Sequence, residues 1–555
     1  MKNYDFIIIG AGICGAAAAK ELAQNNRKVL LIEAGADRME ERIQMSGDFA
    51  RTTRKTPGSP YSKEGQFAES PDYHEKTDNV NTGYYKFDIE NGKFVNVFKS
   101  TYQRISGGST WHWLGNVPRF VPSDFKMYDL YKRGKNWPIT YDELEEYYCK
   151  AEWEIGVSGN HEKWDNYLGA YRSRPYPMSE IWESYSDTQV IKKVDGKIIE
   201  GSKIKILPTP QARNSENYDG RPPCAGNSSC VPICPIQAKY DASVHIKKSI
   251  NLGVEIIYNT VVYKLKTDEN NRISVIHCKT LEGETEIQLD ISTSVILAAH
   301  TIENARILLH SGIANSSGLV GKNLMDHAQG YVTAKAFEKL YPFRGPLTTS
   351  GIDVYRDNED RNKLAGFRLS IGNDGWGRIL SPKDILRDLI LHGFEGDALT
   401  KELEERITRL IRISFSTEVE PNENNRIELS KELDKHGIPK PKITFKISRY
   451  NIDSFRKARK IAKEIFTELG CSEINLNDNG EGDYQSYSGA GHIIGTTCMG
   501  DDPEKSVVDK YCRSHDIDNL IIVGASVFPT SGTANPTLTA LAVTYMAIDK
   551  LISNE

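Results

Sequence analysis

Four apolar residues, Phe6 to Ile9, precede a glycine cluster, and an alanine- and leucine-rich run, Ala16 to Gln24, leads on to a second strand-length run, Lys28 to Ile32. An unbroken apolar run of this length fits a strand buried on both faces, so the chain is predicted to open as strand, tight turn, helix, strand. Much later, Asn425 to Leu429 and Lys442 to Ile447 alternate apolar and polar positions, which predicts strands of an antiparallel sheet backed by helices. Ile452 to Leu469 has the spacing of an amphipathic helix. Residues 380 to 412, rich in Leu, Arg and Glu, read as one or two surface helices with a solvated charged face, or as a contact for a small subunit.

The glycines sit where a dinucleotide needs them. Gly10 permits the turn, Gly12 lets the backbone approach a pyrophosphate, and Gly15 allows close packing of a helix whose N-terminus faces the phosphates. Glu33, at the end of the second run, is positioned to accept hydrogen bonds from both ribose hydroxyls and repels a 2'-phosphate, so FAD or NAD suits the site better than NADP. The early position of the motif and the continuation Ala34-Gly35 favour the FAD variant.

Composition changes this picture little. At 555 residues, 39% apolar and 26% charged, the chain reads as a soluble globular protein of two or three domains. A net charge of -5, with no basic arm, gives no reason to expect nucleic acid and tolerates a cationic substrate. No signal-peptide pattern and no apolar stretch of roughly 18 residues is seen, so the expectation is a protein without an intrinsic membrane segment. Its default location is the cytoplasm, with a periplasmic or membrane-associated place through a partner subunit as the alternative.

Two further features carry chemistry. Cys224, Cys230 and Cys234 fall within eleven residues of a Gly/Pro/Asn-rich loop, whereas the other six cysteines are scattered. Spacing alone leaves three readings open: an iron-sulfur site, a zinc site with His245 as a further ligand, or inert or disulfide-linked thiols. His492, in Gly491-His492-Ile493-Ile494-Gly495, and Asn535, in Thr533-Ala534-Asn535-Pro536-Thr537, form the other feature. A neutral imidazole and an amide brought together by the fold suit the removal of a hydroxyl proton while the oxygen is held, which points to alcohol oxidation.

Between these ends lie Arg104-Ile105-Ser106-Gly107-Gly108-Ser109-Thr110, Ile296 to Ala299, Ala305 to Gly312 and Val320 to His327. Taken in order with the two termini, these segments resemble the glucose-methanol-choline (GMC) oxidoreductases, FAD-dependent enzymes that oxidise alcohols and sugars. Within the family the chain most resembles the large catalytic subunits of bacterial fructose, gluconate, sorbitol and glucose dehydrogenases, through Gly107 to Trp113, Asn136 to Leu144 and Cys224 to Tyr240. Pyranose oxidases share the His112-Trp113 pair.

The resemblance implies an α/β fold in which a Rossmann-like FAD-binding domain (1–124, 200–335 and 486–555) is interleaved with an α+β, antiparallel-sheet substrate-binding domain (125–199 and 336–485). FAD would be held by Gly10, Gly12, Gly15, Glu33, Gly107, Gly108, Ser109, Thr110, His112, Val261, Ala299, Gly524, Ala525, Asn535, Pro536 and Thr537, with His112 a candidate for a covalent flavin link. His492 would be the base and Asn535 its partner, leaving His492 the sole obvious base. In the sugar dehydrogenase subunits a loop of this spacing carries a [3Fe-4S] cluster, which implies one on Cys224, Cys230 and Cys234. Electrons would then leave to an external acceptor such as a cytochrome or quinone, with a small subunit as a further partner and a sugar, polyol or amino sugar as substrate. The rival expectation is a peroxide-forming oxidase of a glycoside or aminoglycoside, with structural cysteines.

Overall fold

The computed structural model describes residues 3–51, 60–61, 66–71, 83–373, 382–477 and 487–553. Phe6–Ile9 and Val29–Ile32 are strands with every residue buried, as unalternated apolar runs require. They lie at the centre of a five-stranded parallel sheet in the order Leu520–Ile522, Ser294–Leu297, Phe6–Ile9, Val29–Ile32, Glu255–Ile257. Strands from the chain's two ends and its middle thus meet in one sheet.

The helix Ile13–Gln24 packs against Ser243–Asn251 and Thr537–Ser553. Its Ala16 to Ala19 have no exposed surface, and these small side chains let the three helices approach closely. At its first turn, a Cβ on Gly15 would stand 1.9 Å from the carbonyl oxygen of Gly10, so only glycine fits there. An antiparallel three-stranded sheet, Val261–Thr267, Ile273–Thr280 and Gly283–Gln288, flanks this layer.

A second, seven-stranded antiparallel sheet runs in the order Ser472–Asn475, Ala328–Lys335, Leu410–Thr417, Phe367–Gly372, Ser350–Ile352, Ile206–Pro208, with Ser488–Gly489 pairing beside Ala328. The helix Arg449–Glu468 covers it, burying Ile452, Phe455, Ile461 and Ile465. The fold is therefore the expected α/β and α+β combination. Some elements sit elsewhere than expected. Ala328–Lys335 and Ile206–Pro208, assigned above to the nucleotide-binding stretch 200–335, are strands of this second sheet.

The alternating runs near 425 and 442 form a separate hairpin, Arg426–Leu433 with Pro439–Thr444, outside the large sheet. Its attachment explains the difference. Arg306, on the helix Thr301–Ser311, reaches Asp434 Oδ2 at 2.7 Å and the Pro439 carbonyl at 2.7 Å, with both charged groups buried. A buried guanidinium needs these partners, so the hairpin is fixed to the nucleotide-binding layer. Residues 382–391 and 396–409 are two helices, and Arg406–Glu402 and Arg409–Glu405 ion pairs occupy the charged face of the second. Among the described residues no helix is long and apolar enough to cross a membrane.

Candidate active site

A cavity of about 1830 Å³ is bordered by Gly10, Gly12, Glu33 and Ala299 from the parallel sheet, and by Gln329, Tyr331, His492 and Asn535 towards the antiparallel one. At the first group, Glu33 is 5% exposed and accepts N–H bonds from Ala11 at 2.8 Å and Gly35 at 2.7 Å. Burial pushes its carboxyl up from the ordinary carboxylate range, against the pull of those amides. A Cβ on Gly12 would meet nothing within 4 Å, so that side of the turn is open, while one on Gly108 would come within 3.5 Å of Gly12 Cα, so the two glycine turns are in contact.

Gly107, at φ 88°, donates its N–H to the Ala11 carbonyl at 3.1 Å and joins the two turns. Thr110 is anchored by the Ala242 N–H at 2.9 Å. Gly108, Ser109, Thr110, His112, Gly524, Ala525, Pro536 and Thr537 border the same cavity, the last at the start of the helix Thr537–Ser553. An open glycine cradle, a helix N-terminus and a buried carboxylate together fit FAD. Gly15 and Gly107 shape the wall from behind. Val261 does not border the cavity as expected: strand alternation turns it towards Ala68 and Ile438, and its neighbours Thr260 and Val262 face the space instead.

At the other end a chain of hydrogen bonds sets the protonation of His492. His327 Nε2 lies 2.9 Å from the Gly532 carbonyl, which can only accept, so His327 carries its proton there. Burial lowers the His327 pKa to about 4, so its Nδ1 is an unprotonated acceptor. That atom is 2.9 Å from His492 Nδ1, which must therefore donate. Burial, then the charge interactions of His327 and Arg368, hold His492 well below the ordinary histidine range. Its Nε2 is left with a lone pair, 2.9 Å from Asn535 Nδ2, and the amide orientation that donates is the one this chain of donors requires. Asp326 fixes the backbone, accepting the His492 N–H at 2.8 Å.

The sequence reading missed this second imidazole. His327 closes a quoted motif, Val320 to His327, but nothing local marks it as the partner of a residue 165 positions away. His300 was likewise unmarked. It borders the cavity with φ 90° and ψ 150°, stacked on Tyr102 at 4.0 Å, and burial lowers its pKa to about 4. A non-glycine residue in that backbone region is strained, which is a mark of functional sites.

His112 borders the cavity beside Tyr61, with Nδ1 buried and unpartnered among the described residues. Burial and the Lys239 ammonium lower its pKa to about 3, so it is neutral. Next to it, the loop of three cysteines supplies Asn227, Ser228, Ser229, Val231 and Pro232 to the cavity wall. Its thiols are free; Cys230 and Cys234 are buried and Cys224 half-buried. Burial raises the Cys224 pKa; Arg213 and the Gly226 amide pull it down, and the neighbouring Cys230 and Cys234 add smaller upward pushes. His245 is not a fourth ligand, since its nitrogens engage Tyr240 at 2.7 Å and Glu154 at 3.2 Å. Among the described residues no group of three His, Cys, Asp or Glu converges on a single-ion site.

Comparison with known proteins identifies the family. The family model for GMC oxidoreductase matches residues 197–329 and 421–544, and that for pyridine nucleotide-disulphide oxidoreductase matches residues 4–107. The chain is 33% identical to the fructose dehydrogenase large subunit of Gluconobacter japonicus, over 99% of this chain and 98% of that one. It is 25% identical to paromamine 6'-oxidase of Streptomyces fradiae, over 98% and 90% of the two chains. The fold is shared with pyridoxine 4-oxidase from Mesorbium loti, at 17% identity and a TM-score of 0.62 over 99% of both chains.

Proposed function

The chain belongs to the GMC oxidoreductase family, and on that premise we propose that it oxidises a hydroxyl of a sugar, polyol or amino sugar to the carbonyl, with His492 as the base. The observation that carries this reading is the 2.9 Å contact between His492 Nε2 and Asn535 Nδ2 in the cavity wall. FAD, when bound, supplies the acceptor for the hydride. A hydroxyl entering between imidazole and amide gives its proton to the Nε2 lone pair, while its oxygen accepts an N–H from Asn535. His327 holds the imidazole so that this lone pair, and not an N–H, meets the substrate. Likeness to a fructose dehydrogenase large subunit and a paromamine 6'-oxidase supports a sugar-like hydroxyl.

The proposed exit for electrons is a [3Fe-4S] cluster on Cys224, Cys230 and Cys234, leading to a cytochrome or quinone. Support comes from the free thiols, their mutual proximity, and the place of their loop in the cavity wall. Cys224, Cys230 and Cys234 would hold the cluster as thiolates, and it would supply one-electron transfer from the reduced flavin. The description of the fructose dehydrogenase relative as a large subunit supports assembly with further subunits. His112, neutral and with no partner at Nδ1 among the described residues, is the proposed covalent anchor for the flavin.

Anaerobic purification followed by iron and sulfide analysis, with peroxide measured during turnover, tests the exit. Iron and sulfide present with no peroxide formed is the expected result; peroxide from an iron-free enzyme would make the chain an oxidase. Acid denaturation should leave the yellow colour with the protein, and colour entirely in the supernatant would rule out the His112 link.

A further inference from the structure

Behind the cysteine loop lies a group of buried cations that the reaction above does not use. Lys239 is 1% exposed, and its ammonium donates to three backbone carbonyls: Trp111 at 2.9 Å, Trp113 at 2.6 Å and Cys230 at 2.7 Å. Two of these flank His112 in the flavin loop, and the third belongs to the cysteine loop. Arg213 is also 1% exposed. It donates to the Leu114 carbonyl at 3.1 Å, but its Nε and Nη1 have no partner among the described residues, and its charge acts on Cys224. Arg42 lies 3.1 Å from the Cys234 carbonyl, but it is neutralised by Asp241 at 2.7 Å. Asp241 is occupied by Arg42, Ser243 and Gln237.

Two buried cations with no carboxylate partner of their own among the described residues are costly unless something anionic offsets them. The adjacent thiols are the groups that become anionic when they bind iron. We infer that Lys239 and Arg213 are the charge-compensating residues of an iron-sulfur centre on Cys224, Cys230 and Cys234, and that they set its reduction potential. This rests on the cluster reading above.

The direction follows from charge. Three thiolates make the centre net negative when oxidised, and each electron it receives from the flavin, reduced by substrate, adds one further negative charge. Nearby buried cations stabilise the reduced form more than the oxidised form, so they raise the potential. Lys239 has a second effect, because its hydrogen bonds hold the flavin loop and the cysteine loop at a fixed separation. Trp111 and Ile233 pack together in a small buried cluster with Tyr61, which closes the same junction on its apolar side.

The test is a redox titration of the wild type, Lys239→Met, Arg213→Met and Lys239→Arg, followed by low-temperature electron paramagnetic resonance. Both methionine variants should shift electron sharing away from the centre by about tenfold or more, a fall of about 59 mV for a one-electron couple. Lys239→Arg should restore most of the wild-type value. Arg213→Met removes a single carbonyl contact, so it carries the test if Lys239→Met does not assemble. A cluster-containing wild type whose methionine variants titrate at an unchanged potential would overturn this inference and leave the cluster standing. A wild type free of iron and sulfide would overturn both.

Discussion

The Nδ1 atoms of His327 and His492 lie 2.9 Å apart, and the Gly532 carbonyl on the far side of His327 decides which of them carries the proton. Replacing His327 by Ala removes the acceptor and frees the His492 ring to turn or to protonate at Nε2. Flavin reduction by substrate should slow by about 10- to 100-fold, with KM changed much less. Stopped-flow under anaerobic conditions measures it. His327→Gln offers an amide oxygen to the same N–H and should recover part of the loss; equal rates in all three proteins would remove His327 from the account.

A base held neutral by burial changes the pH profile. The His492 pKa is shifted below the ordinary histidine range, so the lone pair survives as pH falls through about 6.5 and is lost only well below it. Measured in an Asp326→Asn background, which has no carboxyl titrating beside His492, kcat/KM should show no acid limb near pH 6.5. A limb there would mean an imidazole of ordinary basicity.

Asp326 itself couples stability to pH. Burial raises its carboxyl from 3.8 to about 7, although Ser100 and the His492, Gly491 and Ala490 amides pull it down. The folded state therefore keeps a proton that the unfolded chain has already lost. This contribution is complete below the ordinary carboxylate pKa and disappears as pH rises through about 7. The unfolding free energy of the wild type relative to Asp326→Asn, measured by denaturant titration, should fall between about pH 4 and pH 7 by an amount on the order of a few kcal/mol. A constant difference across that range would place the carboxyl pKa elsewhere.

Two glycines of one motif should fail in different ways. Alanine at 12 meets no protein atom, whereas alanine at 15 would drive its methyl into the Gly10 carbonyl. Gly12→Ala should fold and bind FAD weakly, because the methyl occupies the space left for the pyrophosphate. Gly15→Ala should lose stability whether or not FAD is present. Thermal unfolding with and without added FAD separates the two.

These contrasts show what could be read from the chain alone. The turn from Phe6 to Glu33 was legible because strand, glycines, helix and acid are contiguous, and local sterics dictate their order. His492 and Asn535 were legible as residue types within a motif. Their geometry was not, because His327 and the Gly532 carbonyl reach them from distant segments. Ala328–Lys335 lies in the stretch expected for the nucleotide-binding domain, yet it pairs with Leu410–Thr417, a partner that nothing local in the chain marks. Lys239, between Ala238 and Tyr240, looks like any surface lysine until the flavin and cysteine loops close over it. The hairpin near 434 was legible as strands, but the buried Arg306–Asp434 pair that places it was not.

In the proposed reaction His492 takes the proton of a sugar-type hydroxyl as the flavin is reduced. Anaerobic mixing of the FAD-loaded enzyme with a panel of sugars, polyols and amino sugars, read by loss of flavin absorbance, tests it most directly. At least one of these should bleach the wild type, and His492→Ala, folded with FAD bound, should bleach with the same compound at least about 100-fold more slowly. Bleaching at equal rates in the two proteins, or by no compound of this class, would contradict the account.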